Sequence, residues 1–496
     1  MLRTQKHKSF CFTFTPHLIN MKTRRDFIKA SGMMGAATLL SSKNVFANKA
    51  LDFESKRPPL AERNFTSDAV EAAIKQMKTS LPNKELGWLF ENCFPNTLDT
   101  TVFYEENNGV PDTYVITGDI DAMWLRDSSA QVHPYIPLAA KDKKLQQLIT
   151  GVINRQVKNI LKDPYANAFY KDENQVSEWK DDLTNMKPGI HERKWEIDSL
   201  CFPIRLAYEY WKTTGDTKPF TNDWKESIRL TVQTFTEQQR KHGNGPYSFQ
   251  RKTAWATDGV PLGGYGYPVK PVGLICSMFR PSDDATIFPF LIPSNFFAVT
   301  SLKQAAEILN TVLKDASLAQ SCHALATEVA NALKQYAVVE HTQFGKVYAY
   351  EVNGFGSFNL MDDANNPDLL SLPYLHAIDA GDTVYKQTRK LVLSAENPFF
   401  FKGKAAEGIG GPHAGMDMIW PLGITMRALT SNDDAEITHC IKMLIASNAG
   451  TGFMHESFHK DDPSKFTRKW FAWANTLFGE MIMHVQATKP ALLKAI

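Results

Sequence analysis

A segment near the C-terminus carries two sets of residues that could do chemistry. His455, Glu456 and His459 have the His-Glu-x-x-His spacing of zinc peptidases, in which two imidazoles on one helix face bind the metal beside a glutamate general base. The same glutamate is followed by Trp470 and Trp473, and carboxylates beside aromatic rings are typical of sites that bind and hydrolyse sugars. The two interpretations predict different structures for this segment.

The zinc interpretation requires a helix that places both imidazoles on one face. Gly450 and Gly452 come before the motif, and Asp461, Asp462 and Pro463 come soon after it, so only a short helix would fit. No third metal ligand is marked downstream. A zinc-dependent metallopeptidase is therefore the less favoured class. No metal ion is predicted, and no nucleotide or redox cofactor is predicted either, since no glycine-rich phosphate loop joins a strand to a helix.

Carboxylates recur beside an aromatic ring, an arginine or a glycine turn in five places along the chain. These places are Gly118–Ser128, Lys194–Ser199, Arg280–Thr286, Gly410–Trp420 and Gly450–Asn475. A glycosidase needs such a mixture, because one carboxylic acid protonates the departing oxygen while a second carboxylate activates water or attacks the sugar. Aromatic rings pack on the apolar faces of the sugar. The clusters favour a carbohydrate-active enzyme, with a non-catalytic glycan-binding protein as an alternative.

Two of these clusters also have a purely structural interpretation. Ser282 could cap a helix whose acidic first turn holds Asp283 and Asp284, since acidic residues there favour the helix dipole. Glu196 and Asp198 are two residues apart on a predicted helix, so their side chains should face different directions. At most one of that second pair is expected to enter a site.

The spacing of apolar residues predicts a largely helical protein. Between Asp142 and Asp163 apolar residues recur at three- and four-residue steps, which indicates one amphipathic helix, and the same period appears at 224–235 and 302–313. The best strand pattern is Lys346–Val352. Residues 107–118 and 253–271 are predicted to be loops. An all-α fold follows, a single helical toroid over 65–496 with its site built by loops.

The charge and cysteine content narrow the function classes. The 496-residue chain has a formal net charge of +2 and no basic run in its body, so no nucleic acid partner is predicted. Beyond residue 47 the cysteines are odd in number and show no Cys-x-x-Cys spacing, so neither a disulfide framework nor a structural zinc site is indicated. The oligomeric state is not predicted.

The N-terminus resembles a twin-arginine export signal. Arg24 and Arg25 precede a short apolar run at 32–40, and Val45-Phe46-Ala47 is close to the small-x-small cleavage pattern. The run is shorter than the roughly 20 residues that a membrane span needs. We therefore expect residues 1–47 to be removed, 48–64 to be a linker, and the mature protein to be periplasmic or attached to the cell surface. Met21, just before the signal, is a candidate for the true start.

Five longer motifs together resemble one family of enzymes. They are Trp124–Ser128, Phe279–Ala285, Met361–Asn365, Met454–Phe458 and Arg468–Asn475. In this order they are similar to the signatures of glycoside hydrolase family 125, the metal-independent exo-α-1,6-mannosidases. The resemblance runs from about Phe65 to the C-terminus. Several motifs of this length are far more specific than a five-residue zinc pattern.

The resemblance implies an (α/α)6 barrel and an inverting hydrolase that releases terminal mannose from α-1,6-linked glycans such as N-glycan cores. The general base of the family carries over to Glu456. The general acid falls in the Arg-Pro-Ser-Asp-Asp motif, at Asp283 or Asp284, of which Asp283 is preferred. The residues expected to contact the mannose or to line its site are Trp124, Arg126, Asp127, Asp198, His413, Asp417, His455 and Trp473.

Overall fold

The computed structural model describes residues 53–496, so the export signal, its cleavage site and the start at Met21 lie outside the described residues. The α-helices are α1 (Asp68–Ser80), α2 (Lys84–Cys93), α3 (Asn96–Thr100), α4 (Leu125–Val132), α5 (Ile136–Ala139), α6 (Lys143–Lys162), α7 (Ile197–Thr214), α8 (Asn222–Gln238), α9 (Ile292–Ile308), α10 (Ala316–Tyr336), α11 (Thr383–Val392), α12 (Pro421–Leu429), α13 (Asp434–Ser447), α14 (Ala472–Thr488) and α15 (Pro490–Lys494). Short helical turns lie at Leu60–Glu62, His133–Tyr135, Ala256–Asp258 and Pro261–Gly264, and a π-helix at Leu309–Leu313 continues α9.

Small antiparallel sheets are inserted between the helices. The strands are β1 (Val102–Asn107), β2 (Val110–Val115), β3 (Met123–Trp124), β4 (Ala168–Phe169), β5 (Ile190–Glu192), β6 (Phe290–Leu291), β7 (Val338–His341), β8 (Gly345–Tyr348), β9 (Glu351–Val352), β10 (Phe358–Asn359), β11 (Phe400–Lys402), β12 (Glu407–Ile409), β13 (Met418–Ile419), β14 (Ser457–His459) and β15 (Asp462–Thr467). They pair as β1-β2, β3-β4-β5, β10-β9-β6, β7-β8, β11-β12 and β13-β14-β15.

The helices form an inner and an outer ring. In the inner ring α4 packs on α7 and α7 on α9, while α12 packs on α14 and α14 returns to α4. Helices α9 and α14 are buried along most of their length and are apolar nearly all round, as expected for helices covered on every side. The outer helices α6, α8, α10 and α13 are amphipathic, because only one face packs on the inner ring. This arrangement confirms the predicted helical toroid.

One inner position is not helical. Residues 364–376 fill the place between α12 and α9, since Gly423 of α12 packs on Ala364 and Thr300 of α9 donates a hydrogen bond of 3.4 Å to the His376 carbonyl. The backbone N–H groups of Leu369 and Leu370 are bonded by the Asp362 carboxylate instead of by a helix ladder. With this segment the structure has the six inner and six outer positions of an (α/α)6 barrel.

Outer and inner helices begin differently. Side chains accept hydrogen bonds from the first turn at the starts of six helices that surround the inner ring, at Asn83, Asp142, Thr221, Asp315, Asp382 and Asp433. Within residues 53–496 no such side-chain cap is found at the starts of the five inner helices, which follow Trp124, Glu196, Leu291, Trp420 and Phe471. Short strands or bridges lead into most of them, so tertiary pairing sets where the inner helices begin.

Most of the secondary-structure predictions are confirmed, and one is wrong. The helix expected at 142–163 is α6, capped by Asp142, and the helix at 224–235 lies inside α8. The strand pattern Lys346–Val352 is divided between β8 and β9, which belong to different sheets. Residues 107–118 are not a loop, because 110–115 pair with 102–107 in a hairpin. Its two-residue turn, Asn108-Gly109, has positive φ at both positions, and Asn-Gly is the signal that was missed.

Gly118 allows the first polar cluster to meet the last one, and we predict that Gly118→Ala is strongly destabilising. The residue has φ +133°, forms a bridge with Phe471, and a Cβ there would lie 2.3 Å from the Trp470 carbonyl oxygen. The substitution should lower the free energy of unfolding by about 2–4 kcal/mol through combined backbone strain and overlap. Gly109→Ala is the control, because its φ is +78° but nothing lies within 4 Å. It should cost about 1–2 kcal/mol. Urea unfolding of both variants would show equal losses if the close approach were unimportant.

Candidate active site

Arg126, in the first turn of α4, is the centre of a buried charge cluster. Its Nη1 donates to Glu196 Oε2 at 2.7 Å and to Asp198 Oδ2 at 3.1 Å, and its Nη2 lies 3.4 Å from Asp283 Oδ1. Asp127 Oδ2 is 3.5 Å from Arg126 Nε. Four carboxyl groups therefore surround one guanidinium. Burial and mutual repulsion among several carboxyl groups raise their pKa values, so some of these groups tend to stay protonated.

Glu196 and Asp198 both enter this cluster, so the prediction that at most one of them would do so is wrong. The reason is the backbone: Glu196 is the residue before α7 and is extended, with φ −131° and ψ 131°, whereas Asp198 lies in the first helical turn. The change of conformation turns both side chains toward Arg126. Both are fully buried, so Asp198 acts on the site through the guanidinium that it holds.

Asp283 and Asp284 lie in a tight turn, so the helix-cap interpretation of this motif is wrong. Phe279 and Ala285 form a bridge across the turn, and Asp283 has φ +68°. Because of this conformation the adjacent side chains diverge. Asp283 reaches Arg126, whereas Asp284 bonds to Ser282 and faces His413.

The two aspartates of the turn also differ in their electrostatics. Asp284 is buried, which opposes its charge, yet the neighbouring polar groups, of which His413 with its Nδ1 at 3.6 Å contributes most, together hold the pKa of this carboxyl below its usual value. The Asp283 side chain is 18 % exposed. Nearby, burial raises the pKa of Asp127 to about 6, with Arg126 opposing the rise. The site thus contains a carboxylate held as an anion beside a more accessible carboxyl group.

Glu456 lies immediately before β14 in a second group of charges. Thr467 Oγ1 donates to its Oε2 at 3.0 Å, and Arg468 Nη1 lies 3.5 Å from its Oε1. Arg468 in turn donates from Nε and Nη2 to Asp119 Oδ1 at 2.8 and 2.5 Å. Asp127 interacts electrostatically with both Arg126 and Arg468. The two groups of charges therefore form one site.

The zinc interpretation fails on the geometry of the motif. Residues 457–459 are strand β14, so the helix that this interpretation requires is not formed. His459 ends this strand and His455 precedes it by two residues, so the two imidazoles do not share the helix face on which they could bind one ion. His455 is instead stacked on Phe466 with ring centroids 3.7 Å apart. Among the described residues no cluster of three or more His, Cys, Asp or Glu side chains is arranged to hold a metal.

The other predicted site residues lie at different depths. Trp124 is 6 % exposed and packs edge-on against His191 at 5.1 Å, with an indole N–H that no protein atom in the described chain accepts. His413 packs edge-on against Trp420. Asp417 lies at the surface and pairs with Lys460 at 2.7 Å. Direct contact of these residues with a sugar remains a prediction.

Trp473 lies in the hydrophobic core. It is 2 % exposed and packs against Phe202 and Phe471. The residue therefore supports the start of α14, and a role in contacting substrate stays an untested prediction. Within the same motif Arg468 is the side chain that contacts the candidate base.

Two basic residues of the site were not singled out from the sequence. Arg468 begins the motif Arg468–Asn475, and this motif is the sequence signal for its place beside Glu456. Lys194 donates to Asp258 Oδ1 at 2.7 Å and to the Asp283 carbonyl at 3.0 Å, which ties the acidic turn to the loop at 253–271. The sequence signal for Lys194 is its position next to Trp195 in the second cluster. Lys194 is buried, and these two partners come from distant parts of the chain, so the sequence does not reveal them.

Paired carboxylates, arginines and tryptophans at the starts of the inner helices of an (α/α)6 barrel define a glycoside hydrolase. The family described as metal-independent alpha-mannosidase (GH125) matches residues 83–483, and the chain belongs to this family. The Meiotically up-regulated gene 157 protein of Schizosaccharomyces pombe is 41% identical over 457 residues, which cover 88% of this chain and 90% of that protein.

Solved structures agree with this assignment. A Streptococcus pneumoniae metal-independent alpha mannosidase, in a non-productive substrate complex with alpha-1,6-mannobiose, is 39% identical with a TM-score of 0.83, covering 86% of this chain and 100% of that one. A GH78 rhamnosidase of Bacillus sp. GL1 shares the fold at 10% identity with a TM-score of 0.50, covering 82% of this chain and 35% of that one. No helix among the described residues is long and apolar enough to span a membrane.

Buried histidines should make stability depend on pH. Burial lowers the pKa of His455 to about 4 from an ordinary value of 6.5. The unfolded chain therefore takes up this proton first, and the associated stability, full above about pH 6.5, is lost as the pH falls toward 4. We expect the difference in unfolding free energy between pH 7 and pH 5 to be smaller for His455→Gln than for wild type. Exposed His242→Gln is the control in urea unfolding, and equal differences for all three proteins would contradict the expectation.

Proposed function

We propose that this protein is an exo-acting, inverting α-1,6-mannosidase that releases terminal mannose from α-1,6-linked glycans such as N-glycan cores. Membership of the GH125 family supports an α-mannosidase. The finer specificity is supported by the 39% identical structure, described with alpha-1,6-mannobiose and in connection with N-linked glycan processing. The observation that carries the mechanism is the linked pair of charge groups, one around Arg126 and one around Arg468, that hold the two candidate catalytic carboxyls.

Asp283 and Asp127 both contact Arg126, Arg468 contacts Glu456, and the charges of Asp127 and Arg468 attract each other and so link the two groups. One sugar site could therefore lie between an acid from the turn at 280–285 and a base from the segment before β14. Inverting hydrolases keep their two carboxyl groups about 6.5–9.5 Å apart, because a water molecule must fit between the base and the sugar. Arg126 fixes Asp283 and Arg468 fixes Glu456, so the acid and the base are each held by a different arginine.

In this proposal Asp283 is the general acid and Glu456 the general base. The choice of Asp283 over Asp284 follows from their surroundings: Asp284 is held as an anion by His413, whereas the Asp283 side chain is partly accessible. Asp283 would give its proton to the departing glycosidic oxygen while Glu456 takes a proton from water attacking the anomeric carbon. The products would be β-mannose and the shortened glycan.

The remaining predicted residues would hold the terminal mannose. The Trp124 indole N–H and the Asp127 carboxyl are placed to bond sugar hydroxyls, because both are near Arg126 and buried polar groups need partners. His413 and His455 would donate or accept further hydrogen bonds, and Asp417 lies further out, beside Lys460. Asp198 would act by fixing Arg126.

The site of action is proposed from the N-terminus alone. A twin-arginine signal at 1–47 would deliver the folded enzyme to a bacterial periplasm or to the cell surface. There it would encounter glycans that enter from outside the cell. Fractionation of cells expressing the full chain, with and without Arg24→Lys and Arg25→Lys together, would test this. Unchanged export of the double variant would rule out the twin-arginine route.

The catalytic assignment predicts a large loss of activity for Glu456→Gln and for Asp283→Asn. Each change removes proton transfer while preserving shape, so kcat on α-1,6-mannobiose should fall by about 10²–10⁴-fold. Glu436→Gln is the matched control. Glu436 lies in the outer helix α13 and also accepts hydrogen bonds from two arginines, Arg389 and Arg427, each at 2.8 Å. It should keep near wild-type turnover.

The first product should be identified by NMR before mutarotation, with and without EDTA. β-Mannose formed equally with chelator would support the proposal. α-Mannose would overturn the inverting mechanism, and activity lost with EDTA and restored by zinc would overturn metal-independent hydrolysis. Binding of the disaccharide without any hydrolysis by wild type would favour the alternative of a non-catalytic glycan-binding protein.

A further inference from the structure

Ser282 lies between two buried carboxyl groups. Its Oγ is 3.1 Å from Asp284 Oδ2 and 2.9 Å from Asp363 Oδ2, and Asp363 comes from the non-helical inner segment. A serine hydroxyl has a single proton to donate. If both aspartates were ionised, one anionic oxygen would face the lone pairs of Oγ between buried side chains. One of the two carboxyls must therefore be protonated and donate to Ser282.

The surroundings decide which carboxyl holds the proton. Asp284 faces His413, a group that can carry positive charge, at 3.6 Å. Asp363 is fully buried, and Arg280, the arginine whose charge acts on it, donates its Nε to Glu351 at 2.7 Å. Asp363 Oδ1 accepts two N–H groups of Asn365, each at 3.1 Å, which leaves Oδ2 facing Ser282. The geometry thus favours a proton on Asp363 Oδ2.

The charges around Asp363 agree with this assignment. The titratable groups that interact with it are Arg280, Asp284, Tyr350, Asp362 and Asp368. Burial raises the pKa of Asp363, Asp284 raises it further, and Arg280 opposes them without cancelling the rise. Three of the five neighbours are acidic, so an anion at this position would be poorly compensated.

We propose that Asp363 is a positioning residue that stays protonated, donates to Ser282, and through the Ser282 hydroxyl holds Asp284 in place as an anion. The inference deepens the proposed function, on which it rests for the role of Asp283 as the acid. Asp284 follows Asp283 directly in the turn, so a fixed Asp284 also fixes the backbone that presents the acid. The chain Asp363–Ser282–Asp284–His413 thereby links the non-helical inner position to the catalytic turn.

Isosteric and truncating variants of Asp363 test this role. In Asp363→Asn the amide supplies both the acceptor for Asn365 and the donor for Ser282, as the protonated acid does, so kcat/KM should stay within about tenfold of wild type. Asp363→Ala and Ser282→Ala break the chain and should lose about a hundredfold. Asp284→Asn is the matched control, because the same change at an anion should cost at least as much as Asp363→Ala.

Infrared spectroscopy gives a readout that does not require any hydrolysis. The difference spectrum of wild type minus Asp363→Asn, recorded at neutral pH without substrate, should show the carbonyl stretch of a protonated carboxylic acid that shifts in D2O. Absence of this band, or a large loss of thermal stability in Asp363→Asn, would overturn the inference even if the enzyme proved to be a mannosidase. Presence of the band with no mannosidase activity would instead support the protonation and contradict the proposed function.

Discussion

The surplus of carboxyl groups around Arg126 is the constraint on which the rest of the site depends. One guanidinium contacts Glu196, Asp198 and Asp283 and lies beside Asp127. Buried charges need partners, so this residue ties the starts of α4 and α7 to the turn at 280–285. Helices α4 and α7 begin here without side-chain caps, and the free N–H groups of their first turns favour negative charge. The barrel thereby tolerates an acidic interior that its cations alone would not balance.

The sequence predicts the outer ring better than the inner one. Outer helices such as α6 and α8 carry an amphipathic period and a capping residue, Asp142 or Thr221, and both signals are local. The inner helices lack caps, and α9 and α14 lack a polar face, so their bounds depend on neighbours. The non-helical position at 364–376 could not be predicted at all, because a side chain, Asp362, replaces the helical hydrogen bonds there.

The same distinction holds for the site. All five clusters could be identified from their residue types in the sequence, and in the structure they converge on one region. Side-chain directions were harder to predict: Glu196 and Asp198 converge because the chain changes conformation between them, and Asp283 and Asp284 diverge because of one positive φ. The His-x-x-x-His spacing was misleading for a related reason. Spacing has a meaning only for a given backbone, and here Ser457–His459 is a strand where the zinc motif needs a helix.

The contact between Arg468 and Asp119 joins residues that are 349 positions apart in the chain. Glu456 depends on this arginine, and Gly118 meets Phe471 at the same place. During synthesis the first polar cluster must therefore wait for residues 456–471 before the site can close, and the intermediate would expose the inner faces of α4 and α7. The candidate base and the helix α14 that closes the inner ring on α4 thus come from one segment, so the centre of the enzyme and the closure of its scaffold are completed in the same step of folding.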